Sequence, residues 1–132
     1  MTLDLTLDGL PPMNTADRTH HWSAYRLKRA WEGKVCAAVL HELGRWPERP
    51  LDRARVTITR CSTREPDFEN LAQGGKFLLD GLVKAGVIAD DSPKVIGRPT
   101  YLWERAPRGG GCVRINVRPV GGVEIGPRVP AA

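Results

Sequence analysis

Two groups of carboxylates give this chain residue types that can bind metal ions or take part in hydrolytic chemistry. Asp67 and Glu69 lie in the segment REPDFENL at residues 64–71, and Asp90 and Asp91 form an acidic pair in the segment ADDSP. Carboxylate oxygens bind Mg²⁺, but they also stabilise helix starts and turns. Taken one at a time, Asp67 and Glu69 are typical of helix capping, and the acidic pair is typical of a plain turn.

A polar stripe follows the first carboxylates on the same predicted helix. At about 100° per residue, four side chains fall within roughly 60° of one another on the helical wheel: Glu69, Gln73, Lys76 and Asp80. The leucines of the segment cluster on the opposite side. The stripe is therefore either a solvated face, on which Lys76 is an ordinary surface lysine, or the wall of a site.

Six segments have the hydrophobic periodicity of strands or helices, and they must position these side chains. We predict strands at residues 2–8, 53–61, 95–104 and 112–119, and helices at residues 22–43 and 68–85. The last two strands are expected to pair as a hairpin, because only a short Gly-rich loop separates them. This order, β-α-β-α-β-β, predicts a small single α/β (α+β) domain with one mixed four-stranded sheet and two main helices.

Length and glycine placement set the limits of the domain and of its second helix. The chain of 132 residues is enough for one core, and we assign residues 1–120 to the domain and residues 121–132, rich in Gly and Pro, to a mobile tail. Gly86 is predicted to end the second helix. Gly74 and Gly75 each cost about 1 kcal/mol relative to Ala inside a helix. They therefore indicate a kink or a close backbone approach.

The charge balance favours a polyanionic partner without requiring one. Lys and Arg number 20 against 15 for Asp and Glu, which gives a formal net charge of +5 and a pI of about 9.5. Lys or Arg side chains that meet phosphates release condensed counterions and so gain affinity for nucleic acid. Many proteins are mildly basic without such a partner, so charge alone does not decide the function.

Cysteine and histidine usage argues against several classes of site. Cys36, Cys61 and Cys112 are odd in number, far apart and without a CxxC pair, so neither a disulfide framework nor a zinc finger is predicted. We interpret them as small core residues in a reducing cytoplasm. The three histidines form no HExxH or HxH pair, and no apolar stretch reaches the length of a membrane span. The expected location is cytoplasmic.

The acidic segments together resemble a motif of the RusA family of Holliday junction resolvases. That family carries D-x-D-N-L, then K-x-x-x-D-x-L on a helix, then A-G-V and an acidic pair. This chain has DFENL, KFLLDGL and AGVIADD between Asp67 and Asp91, roughly a fifth of its length. The segment LPPMN near the N-terminus is similar to the entry of phage-encoded members.

The resemblance implies a metal-dependent endodeoxyribonuclease that resolves branched DNA in recombination and repair. It assigns the catalytic carboxylates to Asp67, Glu69 and Asp91, which would bind Mg²⁺, or Mn²⁺ as a substitute, with Asp90 a further ligand or a neighbour of the ligands. By the same resemblance Lys76 would correspond to the family's functional lysine, and Asp80 would orient it. No nucleotide cofactor is implied.

Two departures from the family's pattern affect these assignments. The second acid is Glu69 where the family usually has Asp, and the spacing between Asn-Leu and the lysine is three residues longer. In the shorter register Gln73 would take the position of the lysine. Because three uncompensated carboxylates repel one another, we also predict that a metal ion stabilises the site and that one proton is retained without it.

The same interpretation predicts the partners. A four-way junction has approximate two-fold symmetry, so the resemblance implies a homodimer that binds branched DNA. Candidate phosphate contacts lie on the first helix and the last strand: Arg26, Lys28, Arg29, Lys34, Arg114 and Arg118. A solvated charged face explains any one of them equally well. The four tryptophans are assigned to the core in preference to a dimer interface.

Two other classes of function stay open at this point. The chain could be a nucleic-acid-binding domain without catalysis, in which the acids only cap and turn. It could also be a small protein-interaction domain that uses its tail or an exposed edge strand. Only the nuclease is expected to cut branched DNA with Mg²⁺ and to lose cutting, while it keeps binding, when Asp91 becomes Asn.

Overall fold

The computed structural model describes residues 2–13 and 21–121, and it has the predicted order of main elements. The strands are β1 (Leu3–Asp8), β2 (Ala54–Ser62), β3 (Thr100–Arg105) and β4 (Cys112–Pro119), and the helices are α1 (His21–Leu43), α2 (Phe68–Lys84) and the short α3 (Pro93–Ile96). The predicted polar loop at residues 14–20 and the predicted tail beyond Gly121 lie outside the described residues.

The four strands form one mixed sheet in the order β1-β4-β2-β3. β4 lies antiparallel to both β1 and β2, whereas β2 and β3 are parallel, with α2 in the connection between them. The predicted β3–β4 hairpin is therefore wrong. β4 buries every second residue and suits the interior of the sheet, whereas the exposed, charged end of β3, Glu104 and Arg105, suits an edge.

The start of the third strand was also predicted too early. Residues 93–96 form the one-turn helix α3, and β3 begins only at Thr100. Pro93 has no backbone N–H and is favoured at the first helical position, while Gly97, with φ of 62°, ends the turn. Ile96 is fully buried, which fixes this turn against the core.

The hydrophobic core lies on one face of the sheet, and both long helices pack against that face. The alternating residues predicted to face inward are buried, with relative exposures of 5% or less: Leu3, Leu5, Leu7, Val56, Ile58, Val113, Ile115 and Val117. Trp31, Val35 and Val39 of α1 and Leu78 and Leu82 of α2 complete this core. The assignment of tryptophans to the core holds for Trp31 but is wrong for Trp46, which is 49% exposed.

α2 lies close to β3 because Gly75 has no side chain. A Cβ atom at Gly75 would lie 2.5 Å from Cε1 of Tyr101 and 3.3 Å from Cδ1 of Ile58. Real Cβ contacts are longer than the first of these distances, so the predicted close approach is confirmed, and the helix runs through this position without a break. Gly86 has a φ of 79° just after α2, as expected for a helix stop.

Within residues 2–13 and 21–121, no helix has both the length and the apolar character needed to cross a membrane.

Candidate functional site

Lys76 connects the middle of α2 with the acidic pair that follows the helix. Its Nζ atom lies 2.6 Å from Oδ2 of Asp91 and 3.2 Å from Oδ1 of Asp80. Asp80 is one helical turn further along α2, where i and i+4 side chains are neighbours. One ammonium group therefore lies between two carboxylates that are distant in sequence.

The chain after α2 is held so that Asp91 can reach the helix. Val87 and Ile88 are each 1% exposed, and the backbone at Leu51 bonds to Val87 and Ala89 on either side of its bridge to Ile88. This short pairing fixes the backbone up to Ala89, and the turn that carries Asp91 then returns toward α2. The chain bends at Asp91 and Ser92, within the turn predicted at residues 90–93, but Pro93 already belongs to α3, and Asp91 has a specific partner.

The contact shifts the pKa of both groups in the direction that favours their charged forms. The hydrogen bond from Lys76 holds the pKa of Asp91 below its usual value, against the opposing effect of burial. The same hydrogen bond raises the pKa of Lys76, and Asp80 adds to this increase. Lys76 therefore neutralises one of the carboxylates that were expected to be uncompensated, and retention of a proton in the three-carboxylate site stays a prediction.

A row of ion pairs, in which basic and acidic side chains alternate, leads from Asp80 on α2 to Glu32 on α1. Nζ of Lys28 lies 3.9 Å from Asp80 and 3.8 Å from Glu32, and Nζ of Lys84 lies 3.7 Å from Glu32. Glu32 is only 7% exposed, so its two lysine partners compensate a largely buried charge. Lys28, predicted as a DNA contact, belongs to this contact between the helices.

Asp67 and Glu69 lie at the start of α2 and are exposed. Asp67 is the N-cap residue by position, but its side chain makes no capping hydrogen bond, and only its backbone carbonyl accepts from Leu71. Among the described residues neither carboxylate has an ion-pair partner. The capping interpretation of Asp67 is therefore wrong for its side chain.

The predicted metal ligands fit Mg²⁺ in type but do not meet as a cluster. Carboxylate oxygens are the ligands this ion prefers. In residues 2–13 and 21–121, however, no three His, Cys, Asp or Glu side chains lie together as a group that could hold a metal ion. Asp91 contacts Lys76, while Asp67 and Glu69 lie in or before the first turn of the helix. The set Asp67, Glu69, Asp90 and Asp91 stays a prediction.

Tyr101 of β3 is a residue of this region that the sequence did not indicate. Its half-buried ring meets Phe68 edge to face, with ring centroids 6.1 Å apart. Burial raises the pKa of its hydroxyl, and the charges of Lys76 and Asp91 also act on it. Tyr101 thus lies between the start of α2 and the Lys76 contact. The predicted β3–β4 hairpin concealed this position, because only parallel pairing with β2 brings β3 beneath α2.

Arg105 is the second residue that the sequence analysis missed. It pairs in register with Ser62 at the end of β2, and its guanidinium donates to the carbonyl of Thr63 at 3.2 Å. The same group lies 5.5 Å from the centre of the Trp103 ring. Arg105 therefore borders the loop that leads from β2 to Asp67.

The six predicted phosphate contacts are all exposed, and several have partners within the protein. Nζ of Lys34 donates to the carbonyl of Asp8 at 2.9 Å and lies 4.3 Å from the centre of the Trp31 ring. Arg114 forms an ion pair with Glu104. Arg29 lies 6.0 Å from the centre of the Tyr25 ring. Arg26 and Arg118, by contrast, have no side-chain partner within the described part of the chain.

Neither a protein-family model nor a curated protein sequence matches this chain. The likeness to RusA resolvases therefore depends on the sequence motif between Asp67 and Asp91 alone.

Proposed function

We propose that this chain is a metal-dependent, structure-selective endodeoxyribonuclease of the RusA type, which acts on four-way junctions or related branched DNA. The observation that carries the proposal is the 2.6 Å contact between Lys76 and Asp91. These residues are 15 positions apart, and they are the lysine and the last acid of the motif. The contact supports Lys76 as a functional position of the site.

Lys76 is suited to bind phosphate and not to act as a base. Its raised pKa keeps the ammonium protonated at neutral pH. An ammonium group has three N–H donors, of which two are directed at Asp91 and Asp80, so a third is available to a phosphate oxygen. Positive charge placed there stabilises the negative charge that grows on phosphate during cleavage. Asp80 acts as a positioning residue, since it limits where the lysine side chain can point.

The carboxylates supply the other half of the proposed site. Asp91 is ionised at neutral pH, because its pKa is lowered. A bound Mg²⁺ would provide a water of lowered pKa and additional positive charge. Its ligands would be Asp91 together with Asp67, Glu69 and Asp90. Exposure of Asp67 and Glu69 leaves both open to an ion and to the DNA backbone.

Branched DNA and a second copy of the chain are the proposed partners. The net charge of +5 favours phosphate binding, and Arg26 and Arg118 are exposed without a partner among the described residues. Two nicks at a two-fold symmetric junction require two sites, which a homodimer provides.

The test is cleavage of a synthetic four-way junction by wild type and by Asp91→Asn. With Mg²⁺ we expect the wild type to nick the junction and the variant to cut about 100-fold more slowly or worse, because it loses a charged ligand. Binding, measured by gel shift without metal, should not weaken, since the change removes negative charge near DNA. Asp52→Asn is the matched control, because Asp52 is an exposed carboxylate outside the motif.

The other classes of function predict different results. Salt-sensitive binding with no cutting by the wild type in Mg²⁺ or Mn²⁺ would identify a non-catalytic nucleic-acid-binding domain. Neither binding nor cutting, for branched and linear duplex alike, would favour a protein-interaction domain. Equal cutting by Asp91→Asn and wild type would remove Asp91 from the site.

A further inference from the structure

Two of the three cysteines, which the sequence places 51 positions apart, face each other across the sheet. Cys61 near the end of β2 pairs in register with Cys112 at the start of antiparallel β4. Side chains of residues directly opposite each other point to the same face of a sheet. Here it is the face away from the helices, since the neighbouring pair, Arg60 with Val113, places Val113 in the core.

The hydrogen-bonding pattern of β2 and β4 determines the distance between the Cα atoms of Cys61 and Cys112. Val120 N–H bonds to the carbonyl of Arg53, the residue opposite it, so Arg53 and Val120 form a hydrogen-bonded pair. Because the two kinds of pair alternate along antiparallel strands, Cys61 and Cys112, eight positions further on, are also a hydrogen-bonded pair. Their Cα atoms are then about 5.5 Å apart. Disulfides usually join Cα atoms about 4.4–6.8 Å apart, so the backbone already satisfies this requirement.

The two thiols are close enough to influence each other, because the Cys61 side chain adds to the effect of burial in raising the pKa of Cys112. Cβ atoms of a hydrogen-bonded pair lie at the far end of about 4.5–5.5 Å, while a relaxed disulfide has them about 3.8 Å apart. The two strand ends must therefore move together slightly when a bond forms. A bond formed under such tension is more easily reduced, which is typical of regulatory disulfides and not of structural ones.

Access differs among the three cysteines. Cys112 is partly exposed, whereas Cys61 is 7% exposed beside it. Cys36 lies on α1 and packs against the core, on the opposite side of the sheet. Cys36 is partly exposed as well, but of the two paired thiols Cys112 is the one that an oxidant from solvent reaches first, and the thiol able to complete a bond with it is Cys61.

We propose that Cys61 and Cys112 are a redox modification site, at which a small disulfide such as glutathione disulfide converts the two thiols reversibly into an intramolecular cross-strand disulfide. The Cys112 thiolate attacks one sulfur of glutathione disulfide and releases one glutathione thiolate, giving a mixed disulfide. The Cys61 thiolate then attacks the Cys112 sulfur and releases the second glutathione. The protein loses two protons and two electrons, and two molecules of reduced glutathione carry them away.

The site adjoins the candidate nuclease residues in the chain. Cys61 is followed by Ser62, whose hydroxyl donates to the carbonyl of Arg64 and accepts from the indole N–H of Trp103. These bonds hold the loop that leads to Asp67. Oxidation at Cys61 would act on the anchored end of that loop, but the disulfide itself does not depend on the proposed nuclease activity.

The experiment counts thiols in the full chain. Reduced protein is treated with excess glutathione disulfide without denaturant, then alkylated with iodoacetamide and weighed by mass spectrometry. We expect the wild type to keep one alkylated cysteine, Cys36, and to yield a proteolytic fragment in which residues 61 and 112 are joined. Burial and the neighbouring Cys61 thiol raise the pKa of Cys112, so bond formation should accelerate about tenfold per pH unit below that pKa.

Three single variants serve as controls. Cys36→Ser should still form the bond and then take up no alkyl group. Cys112→Ser and Cys61→Ala should form none and keep both remaining thiols reactive or as mixed disulfides. The proposal is overturned if the oxidised wild type retains three alkylated cysteines, stops at a mixed disulfide, links Cys36, or joins two chains instead of one. Bond formation only in denaturant would overturn it as well.

Discussion

Two carboxylates lie at the start of α2 and two others meet at Lys76 in its middle, one of them, Asp91, from the turn after the helix, and the surroundings of the two pairs differ. In the middle, Asp80 and Asp91 share the ammonium group of Lys76, and their side chains are only 21% and 25% exposed. At the start, Asp67 and Glu69 are exposed and have no ion-pair partner among the described residues. The fold has therefore fixed one pair of carboxylates and left the other pair available. A shared type of side chain does not imply a shared role.

Helix geometry explains how far apart the two regions are. Glu69 and Lys76 lie on the same face of α2, but seven residues separate them by about 10 Å along the axis. Side chains on a helix lean toward its N-terminus, so the Lys76 contact leans toward Glu69. Tyr101 fills part of the interval, because it meets Phe68 and is influenced by Lys76 and Asp91. A divalent cation would have to draw these two regions together.

The largest expected effect comes from such a cation. If Mg²⁺ joins the start of α2 to Asp91, it should stabilise the wild type by about 2.7 kcal/mol at a concentration 100 times its dissociation constant. The measurement is the thermal midpoint by differential scanning calorimetry, with and without Mg²⁺ or Mn²⁺. The gain should fall sharply in Asp67→Asn, in Glu69→Gln and in Asp91→Asn, since each removes a negatively charged ligand.

The controls separate a shared ion from general screening of charge. Asp52→Asn should respond to Mg²⁺ as the wild type does. NaCl of equal ionic strength, free of divalent cations, should not reproduce the increase in thermal midpoint. Equal, unchanged midpoints in wild type and Asp67→Asn would mean that the two regions stay apart and do not share an ion.

A smaller effect is expected at Gly75, which lies between the two regions on α2. In Gly75→Ala the new methyl group meets the Tyr101 ring at 2.5 Å and forces helix and strand apart. We expect overpacking of about 1–3 kcal/mol, partly offset by roughly 1 kcal/mol of helix propensity. Urea unfolding should therefore show a net loss of up to about 2 kcal/mol, which places the variant about 1–3 kcal/mol below a glycine-to-alanine change that gains the full propensity.

Gly33→Ala is the matched control for this change. Gly33 is an exposed glycine inside α1, and a Cβ there meets nothing within 4 Å. Only the higher helix propensity of alanine acts at this position, so the free energy of unfolding of Gly33→Ala should increase by up to about 1 kcal/mol. A Gly75→Ala variant as stable as Gly33→Ala would show that Tyr101 yields easily and that α2 is not held at this point.

The two regions also differ in how well the sequence predicts them. Period-two and helical spacing identified the buried faces of β1, β2, β4 and both helices, because burial of alternating or amphipathic faces is a local property of the chain. The position of Asp67 at the start of α2 followed from the same periodicity. The capping bond expected of its side chain did not, because bonding depends on rotamer and not on spacing.

Strand pairing and the contacts it creates were less predictable. A hairpin was expected from the short loop between β3 and β4, whereas the sheet places β2 between them. This error concealed Tyr101 and Arg105, which border the candidate site only through parallel pairing with β2. The pairing of Cys61 with Cys112 likewise depends on the register between strands that are distant in sequence. Which strands become neighbours, and in which register, depends on how whole faces of the sheet are buried. The sequence of a single segment does not contain this information.

The smallest expected effect tests whether the middle of α2 is held by charge. Lys76→Met keeps the length and apolar stem of the side chain but removes its charge, so Asp91 and Asp80 lose their partner. Because the lysine side chain is 59% exposed, the loss should be only about 0.5–1 kcal/mol. Asp67→Asn, which breaks no side-chain bond in the described structure, should cost less than about 0.5 kcal/mol and serves as the control.

The pH dependence of this loss gives the sharper result. The pKa of Asp91 is lowered in the folded protein. The stability that Asp91 contributes is therefore present above the carboxyl pKa of the unfolded chain, about 3.9, and is lost as pH falls through the pKa of the folded state. The pKa of Lys76 is raised. The stability that Lys76 contributes is therefore present below the lysine pKa of the unfolded chain, about 10.4, and is lost as pH rises through the pKa of the folded state. The difference in unfolding free energy between wild type and Lys76→Met should therefore be flat between about pH 5 and 9 and shrink on both sides. If the difference is absent at pH 7, or if it does not shrink below about pH 4, the middle of α2 is held no more firmly than its start, and the contrast between the two regions fails.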